Sequence, residues 1–164
     1  MLAHVTEQAA GEGLEYDFDS LRVANSFTAH RLLHLAKEHG AGPALKDALL
    51  SAHFERGIDI GDPDALRGLA AAAGLPAAET ERVLAGDDYA DAVQADIAQA
   101  RALGVTGVPF FVLNMKYGVS GAQPAELFAE ALTKAHSELA PLTMVAPDAA
   151  PGQDGPACGP EGCN

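Results

Sequence analysis

The chain has 164 residues, of which 48% are apolar, enough for one domain with a core. Trp is absent and aromatics are only 5%, so that core is built mostly from Ala, Leu and Val. Twenty-three acidic against ten basic side chains leave a formal charge of −13, which argues against nucleic acid, bound through cationic contacts to phosphate, and against anionic membrane surfaces. The simplest meaning of that charge is solubility. No apolar run approaches the roughly 20 residues of a membrane span. Met1-Leu2-Ala3-His4 is not a basic segment leading into an apolar one, and two cysteines are too few for a disulfide scaffold. The cytoplasm is the default compartment.

Residues 1–10 read as a helix ended by Gly11-Glu12-Gly13. It has no N-cap, as if the chain were cut through an element. Leu14 to Leu21 is an extended connector with alternating Leu14, Tyr16 and Phe18. Asn25 is the predicted N-cap of the next helix, whose stripe Ala29, Leu32, Leu33 and Ala36 has helical spacing and which Gly40 stops. Pro43 suits a first helical turn, with Leu45, Ala48, Leu49 and Ala52 behind it. Asp62-Pro63 caps and opens a helix with Leu66, Leu69, Ala70 and Ala73 as its stripe and Gly74 as its stop. Pro76 opens a short helix through Val83 and Leu84. Asp87 or Asp88 is the predicted cap of one packed through Val93, Ile97, Ala100 and Leu103.

The pattern changes from Gly104 to Gly121. A Thr106-Gly107-Val108-Pro109 turn leads into Phe110 to Leu113, an unbroken apolar run that fits a strand buried on both faces. Asn114-Met115-Lys116 is a hairpin connection to a second strand at Tyr117 to Val119. Pro109, which cannot donate to a sheet, belongs at a strand start. Phe110 and Tyr117 are expected to pack in the core. Pro124 opens a last helix striped by Leu127, Phe128, Ala131, Leu132 and Ala135. Pro141 to Asn164, rich in Pro, Gly, Ala and Asp, is predicted to be a disordered tail. A lone two-stranded hairpin is marginal and no third strand is evident, so the sheet reads as part of a larger one.

Few residues have the chemistry for a site. Cys158-Gly-Pro-Glu-Gly-Cys163 is a C-X4-C whose Gly and Pro let the sulfurs meet. So short a loop is a weak staple, which favours a labile, redox-active pair over spectator thiols or an incidental disulfide. A structural zinc needs four ligands and the tail offers two. His30 and His34 share a helix face but lack the Glu of H-E-x-x-H, so surface or packing roles come first. His4, His39, His53 and His136 read as ordinary surface positions. The carboxylate pairs Asp17 with Asp19 and Asp87 with Asp88 are explained by turns and caps. Neither a GxGxxG nor a G-x-S-x-G is present, and no cofactor or metal is implied.

Val105-Thr106-Gly107-Val108-Pro109-Phe110-Phe111-Val112 resembles the cis-proline loop of thioredoxin-fold oxidoreductases, above all the DsbA/FrnE-like branch. Tyr117 to Pro124 and Ala29-His30-Arg31-Leu32-Leu33-His34 also match the FrnE branch, and the likeness covers most of Met1 to Leu139. The resemblance implies an α/β family fold that is mostly helical here. Residues 1–103 would be a helical insertion domain, 104–140 the cis-Pro hairpin and C-terminal helix of a partial thioredoxin fold, and 141–164 a cysteine-bearing tail. In the family the loop lies beside a Cys-X-X-Cys site, and the residue before the proline pairs its backbone with the substrate. Gly107, Val108 and Pro109 are therefore implied substrate contacts, and Asn25 and His30 would border the same cleft. The family's opening strand and Cys-X-X-Cys helix have no counterpart here, so the resemblance implies an N-terminally shortened thiol–disulfide oxidoreductase, weak or inactive alone. Its partners would be protein or peptide thiols and disulfides, with Cys158 and Cys163 as a second redox pair. The unpaired apolar strand edge is expected to pair with another copy, to be covered by the chain's own segment, or to limit solubility. Two other readings are a glutathione-dependent 2-hydroxychromene-2-carboxylate isomerase or kappa-class glutathione transferase relative, and a non-catalytic peptide-binding or chaperone-like module. The Val-Pro-Phe-Phe strand and the cysteine tail favour the FrnE branch.

Overall fold

The computed structural model describes residues 2–139. They form seven helices, α1 (Leu2–Gly11), α2 (Phe27–Glu38), α3 (Gly42–Phe54), α4 (Pro63–Ala72), α5 (Ala77–Ala85), α6 (Ala90–Ala102) and α7 (Ala125–Ser137), and two strands, β1 (Phe110–Leu113) and β2 (Tyr117–Ser120). The chain divides into two compact units, Met1–Thr106 and Gly107–Asn164. Cys158, Cys163 and the rest of the predicted tail lie outside the described residues. Among those described, no helix is long and apolar enough to cross a membrane.

Three helices stop in the same way. Gly40, Gly74 and Gly104 all have φ between 68° and 84°, the left-handed region where a Cβ is penalised. After α2, the Gly40 N–H bonds the Lys37 carbonyl and the Ala41 N–H bonds that of Ala36; Gly74 with Leu75, and Gly104 with Val105, repeat this pair of bonds. That is the Schellman arrangement, which satisfies carbonyls otherwise left without partners. At the start of α4, a carboxylate oxygen of Asp62 accepts the Ala65 N–H at 3.0 Å.

Two predicted caps are corrected. The N-cap of α2 is Ser26; Asn25 stands one residue earlier, where its Oδ1 accepts the Phe27 N–H at 2.9 Å. Neither Asp87 nor Asp88 caps α6, which starts from Tyr89 at φ 64° without a side-chain cap. The Asp88 carboxylate is drawn instead to the Arg82 guanidinium, a charge-assisted bond that outcompetes a neutral N–H.

In the first unit α2 is the central element, packed against α3, α5 and α6, while α4 packs on α3 and α5. The core joins Ala29, Leu32, Leu35 and Ala36 of α2 to Leu45, Leu49 and Ala52 of α3, Leu66, Leu69 and Ala70 of α4, Leu75, and Val83 of α5. Leu32, Leu35, Leu45, Leu66 and Val83 are fully buried, each worth about 1.5–3 kcal/mol. Leu35 lies off the predicted stripe and Leu33, on it, is only partly buried, because a helix with neighbours on several sides buries more than one face. On α6, by contrast, only Val93 is buried. The connector is tied to α3: the Asp17 N–H bonds the Phe54 carbonyl at 2.8 Å, and the Tyr16 ring stacks on Phe54 at 5.0 Å.

In the second unit β1 and β2 pair antiparallel, with Phe110 opposite Ser120 and Leu113 opposite Tyr117. Asn114 and Met115 both take positive φ, and the Lys116 N–H closes the turn on the Leu113 carbonyl at 3.1 Å, the twist that joins antiparallel strands without splaying them. The expectation of a strand buried on both faces is corrected: Phe111 is 42% and Val112 36% exposed. The α7 stripe is covered only in part: Ala135 is buried, while Leu127 is 40% and Leu132 54% exposed. The described sheet has two strands and one helix, α7, packed on it, which covers a single face. Phe111 meets Phe128 edge-on at 4.8 Å. The Phe110 ring lies over Gly118, where an added Cβ would come within 2.9 Å of it. Tyr117 is half-buried, and its hydroxyl reaches out to the Glu138 carboxylate.

Candidate functional site

Gly107, Val108 and Pro109 form the exposed head of β1. The Pro109 carbonyl accepts the Gly121 N–H at 2.9 Å, extending the ladder by one bond beyond the strand. The Val108–Pro109 peptide bond is cis. Val108 is 90% exposed, and among the described residues neither its N–H nor its carbonyl is hydrogen-bonded. This is a short length of backbone with polar groups to spare, offered at the end of an apolar strand. Its sequence origin is local: the proline cannot donate to a ladder and so stands at the strand's head.

Asn25 and His30 lie in the other unit. Asn25 is exposed and spends its carbonyl oxygen on Phe27. His30 is exposed in the first turn of α2. With Leu33, His34, Lys37 and Asp96 it lines an open cavity of about 250 Å³. His30, His34 and Lys37 fall at i, i+4 and i+7 on one face of α2, and the His34 Nε2 lies 2.9 Å from Oδ2 of Asp96 on α6. The His34 ring also stacks on Tyr89 at 6.2 Å, and the Tyr89 hydroxyl donates to Glu38 at 2.7 Å, a bond that raises the phenol's pKa. Asp96 and Tyr89 had no signal in the sequence, because their partners lie on a helix more than 50 residues away. Among the described residues, no group of three His, Cys, Asp or Glu is placed to hold a metal ion.

Arg31 is the third residue missed. It sits between the two histidines yet is only 5% exposed. Its Nε donates to the Asp88 carbonyl and its Nη2 to those of Val83 and Gly86, each at 2.7 Å. These are the last carbonyls of α5 and the turn beyond it, where the helix dipole is negative. The charge is neutralised by backbone, and α2 is pinned to the α5–α6 turn. Elsewhere in the unit Asp17 turns the connector by accepting the N–H groups of Asp19 and Ser20. The Ser20 bonds hold its carboxyl below its ordinary pKa, in keeping with the predicted turn role of this acid. His53 is not the simple surface residue expected: its Nδ1 is buried without a partner, beside the Phe54 ring at 4.7 Å.

A model of the DSBA-like thioredoxin domain family matches residues 1–133, and the chain belongs to that family of thiol–disulfide oxidoreductases. Among solved structures it is similar to a probable DsbA oxidoreductase from Streptomyces coelicolor, at 47% identity and a TM-score of 0.77, over 99% of this chain and 67% of that one. No curated protein sequence matches it. The fold is thus the DSBA-like thioredoxin fold, represented in the described residues by seven helices and a two-stranded antiparallel sheet.

Proposed function

We propose that this chain is a FrnE-type member of the family that acts on protein disulfides, with Gly107, Val108 and Pro109 holding the substrate strand and Cys158 and Cys163 as its redox pair. The observation that carries this reading is the exposed strand head at Val108. Its spare N–H and carbonyl suit pairing with an extended peptide, a mode in which main-chain bonds supply affinity independently of substrate sequence. An extended substrate laid there would present its backbone at the end of the apolar strand β1.

The redox step follows thiol–disulfide exchange. The thiolate of one tail cysteine attacks a substrate sulfur, and the departing substrate sulfur takes up a proton. The second tail thiol, deprotonated, then displaces the mixed disulfide. Two protein thiols become one disulfide while the substrate disulfide becomes two thiols, and the reverse sequence oxidises a dithiol substrate. The 164 residues carry no Cys-X-X-Cys, the motif whose lowered-pKa thiolate drives this chemistry in the family, so turnover by the tail pair alone is weak. Insulin reduction with dithiothreitol as the reductant tests it. Slow turnover above the uncatalysed rate, abolished by Cys158→Ser with Cys163→Ser, is expected. Turnover that persists in the double variant would remove the tail pair from the mechanism.

A further inference from the structure

A second cleft lies in the first unit, on residues to which the redox reading gives no role. The connector is tied to the end of α3 by the Asp17 N–H on the Phe54 carbonyl and the Glu15 N–H on the Glu55 carboxylate, and it contributes Leu14 and Tyr16. Asp47 and Ser51 of α3 and its C-cap Glu55 recur at four-residue intervals, with Leu50 beside them. These six residues line a cavity of about 290 Å³. Its apolar lining is open: Leu14 is 42% and Leu50 48% exposed. Its rim is acidic. The Ser51 hydroxyl and then the Glu15 N–H hold the Glu55 carboxyl below its ordinary pKa, and that N–H bond, 3.3 Å long, also fixes its direction. Arg56, whose charge also acts on Glu55, donates to the Ala48 carbonyl.

We propose that this cleft is a docking site for a peptide segment in which a large apolar side chain is flanked by lysine or arginine. The volume lies just under the range of about 300–1,000 Å³ typical of small-molecule sites, and suits a side chain or two of a longer ligand. The two carboxylates at the rim select the flanking charge, since like charges set against each other are penalised and opposite ones steer association. The same argument disfavours a second copy as occupant, because a chain of charge −13 is repelled from an acidic rim. The site needs no thiol, so it stands or falls separately from the redox reading.

The test uses the full chain and two short dye-labelled peptides, one alternating Leu with Lys and one alternating Leu with Glu, read by fluorescence anisotropy. The Leu/Lys peptide is expected to bind, more weakly as salt rises, and the Leu/Glu peptide to bind at least tenfold less tightly. Leu50→Gln, at an exposed helical position, is expected to weaken binding about tenfold, the equivalent of about 1.4 kcal/mol. Asp47→Asn with Glu55→Gln is expected to flatten the salt dependence. Amide shifts induced by the Leu/Lys peptide are expected to cluster at Leu14, Tyr16 and Leu50. The proposal is overturned if the two peptides bind equally, if Leu50→Gln leaves the affinity unchanged, if the shifts fall elsewhere, or if the chain alone dimerises through this face.

Discussion

Arg31 shows how one side chain can decide an arrangement that no periodicity reveals. Its guanidinium replaces water for three carbonyls at once, and the Val83 carbonyl is the buried one. Hydrogen bonds to a charged group are each worth about 1.5–3 kcal/mol, and a buried acceptor left without a donor costs a further desolvation penalty. Arg31→Met keeps the length and loses every donor, so it is expected to lower unfolding free energy by about 3 kcal/mol in urea titrations. Arg31→Lys restores a charge but not the forked geometry, and is expected to recover less than half of that. A loss under about 1 kcal/mol for Arg31→Met would mean that the α5–α6 turn is held by the core alone.

The elements that could be read from the sequence are those whose ends are settled locally. Glycine stops three helices because the cap bonds join residues within one turn, so Gly40, Gly74 and Gly104 carry the information themselves. Asp62-Pro63 is equally self-contained. The caps were misplaced for different reasons: Asn25 bonds the Phe27 N–H from one residue before the N-cap Ser26, which makes no side-chain cap bond, and the Asp88 carboxylate is taken by Arg82. Burial was misread wherever it depends on what lies opposite. The apolar residues of β1 and α7 have the right spacing for a core, yet spacing does not supply a covering surface. In the candidate site, the place of Pro109 at the head of β1 was legible because a proline at a strand head is a local constraint, while the substrate role of Gly107, Val108 and Pro109 came from the family resemblance alone; the pairing of His34 with Asp96 was not legible. The hairpin and α7 are joined by a contact of the same non-local kind, in which Lys116 Nζ bonds the Glu138 carboxylate at 2.7 Å and the Tyr117 hydroxyl shares it. The Lys116 bond, then the Tyr117 bond, hold the Glu138 carboxyl below 4.5, and Glu138 holds the Lys116 ammonium above 10.5. The carboxylate's contribution is therefore complete above pH 4.5 and is lost as pH falls through the lowered folded value. The ammonium's is complete below pH 10.5 and is lost as pH rises through the raised one. The groups are exposed, so the contact orders the helix end more than it stabilises the unit. In an NMR titration the amides of Tyr117 and Leu139 are expected to move together with a midpoint below 4.5, and to stop doing so in Glu138→Gln. Independent midpoints in the native chain would dissolve the contact.

At the scale of the whole molecule two forces oppose each other. The formal charge of −13 drives copies apart. The free side of β1, which pairs only with β2 among the described residues, offers unpaired backbone and half-exposed Phe111 and Val112, a template for strand addition between chains. Salt acts on only one of these. The screening length falls from about 30 Å at 0.01 M to about 3 Å at 1 M, so repulsion across the molecule fades while backbone pairing and apolar burial persist. Light scattering is expected to give a monomer mass in dilute buffer and a mass that rises with salt and with protein concentration. Val112→Lys puts a charge on the edge, the usual protection of such strands, and is expected to hold the chain monomeric in high salt. Peptide docking at the acid-rimmed cleft weakens under the same change of salt, so the two surfaces are told apart by the sign of one titration. A monomer mass at every salt concentration, in the native chain and in Val112→Lys alike, would show that β1 does not recruit a second copy.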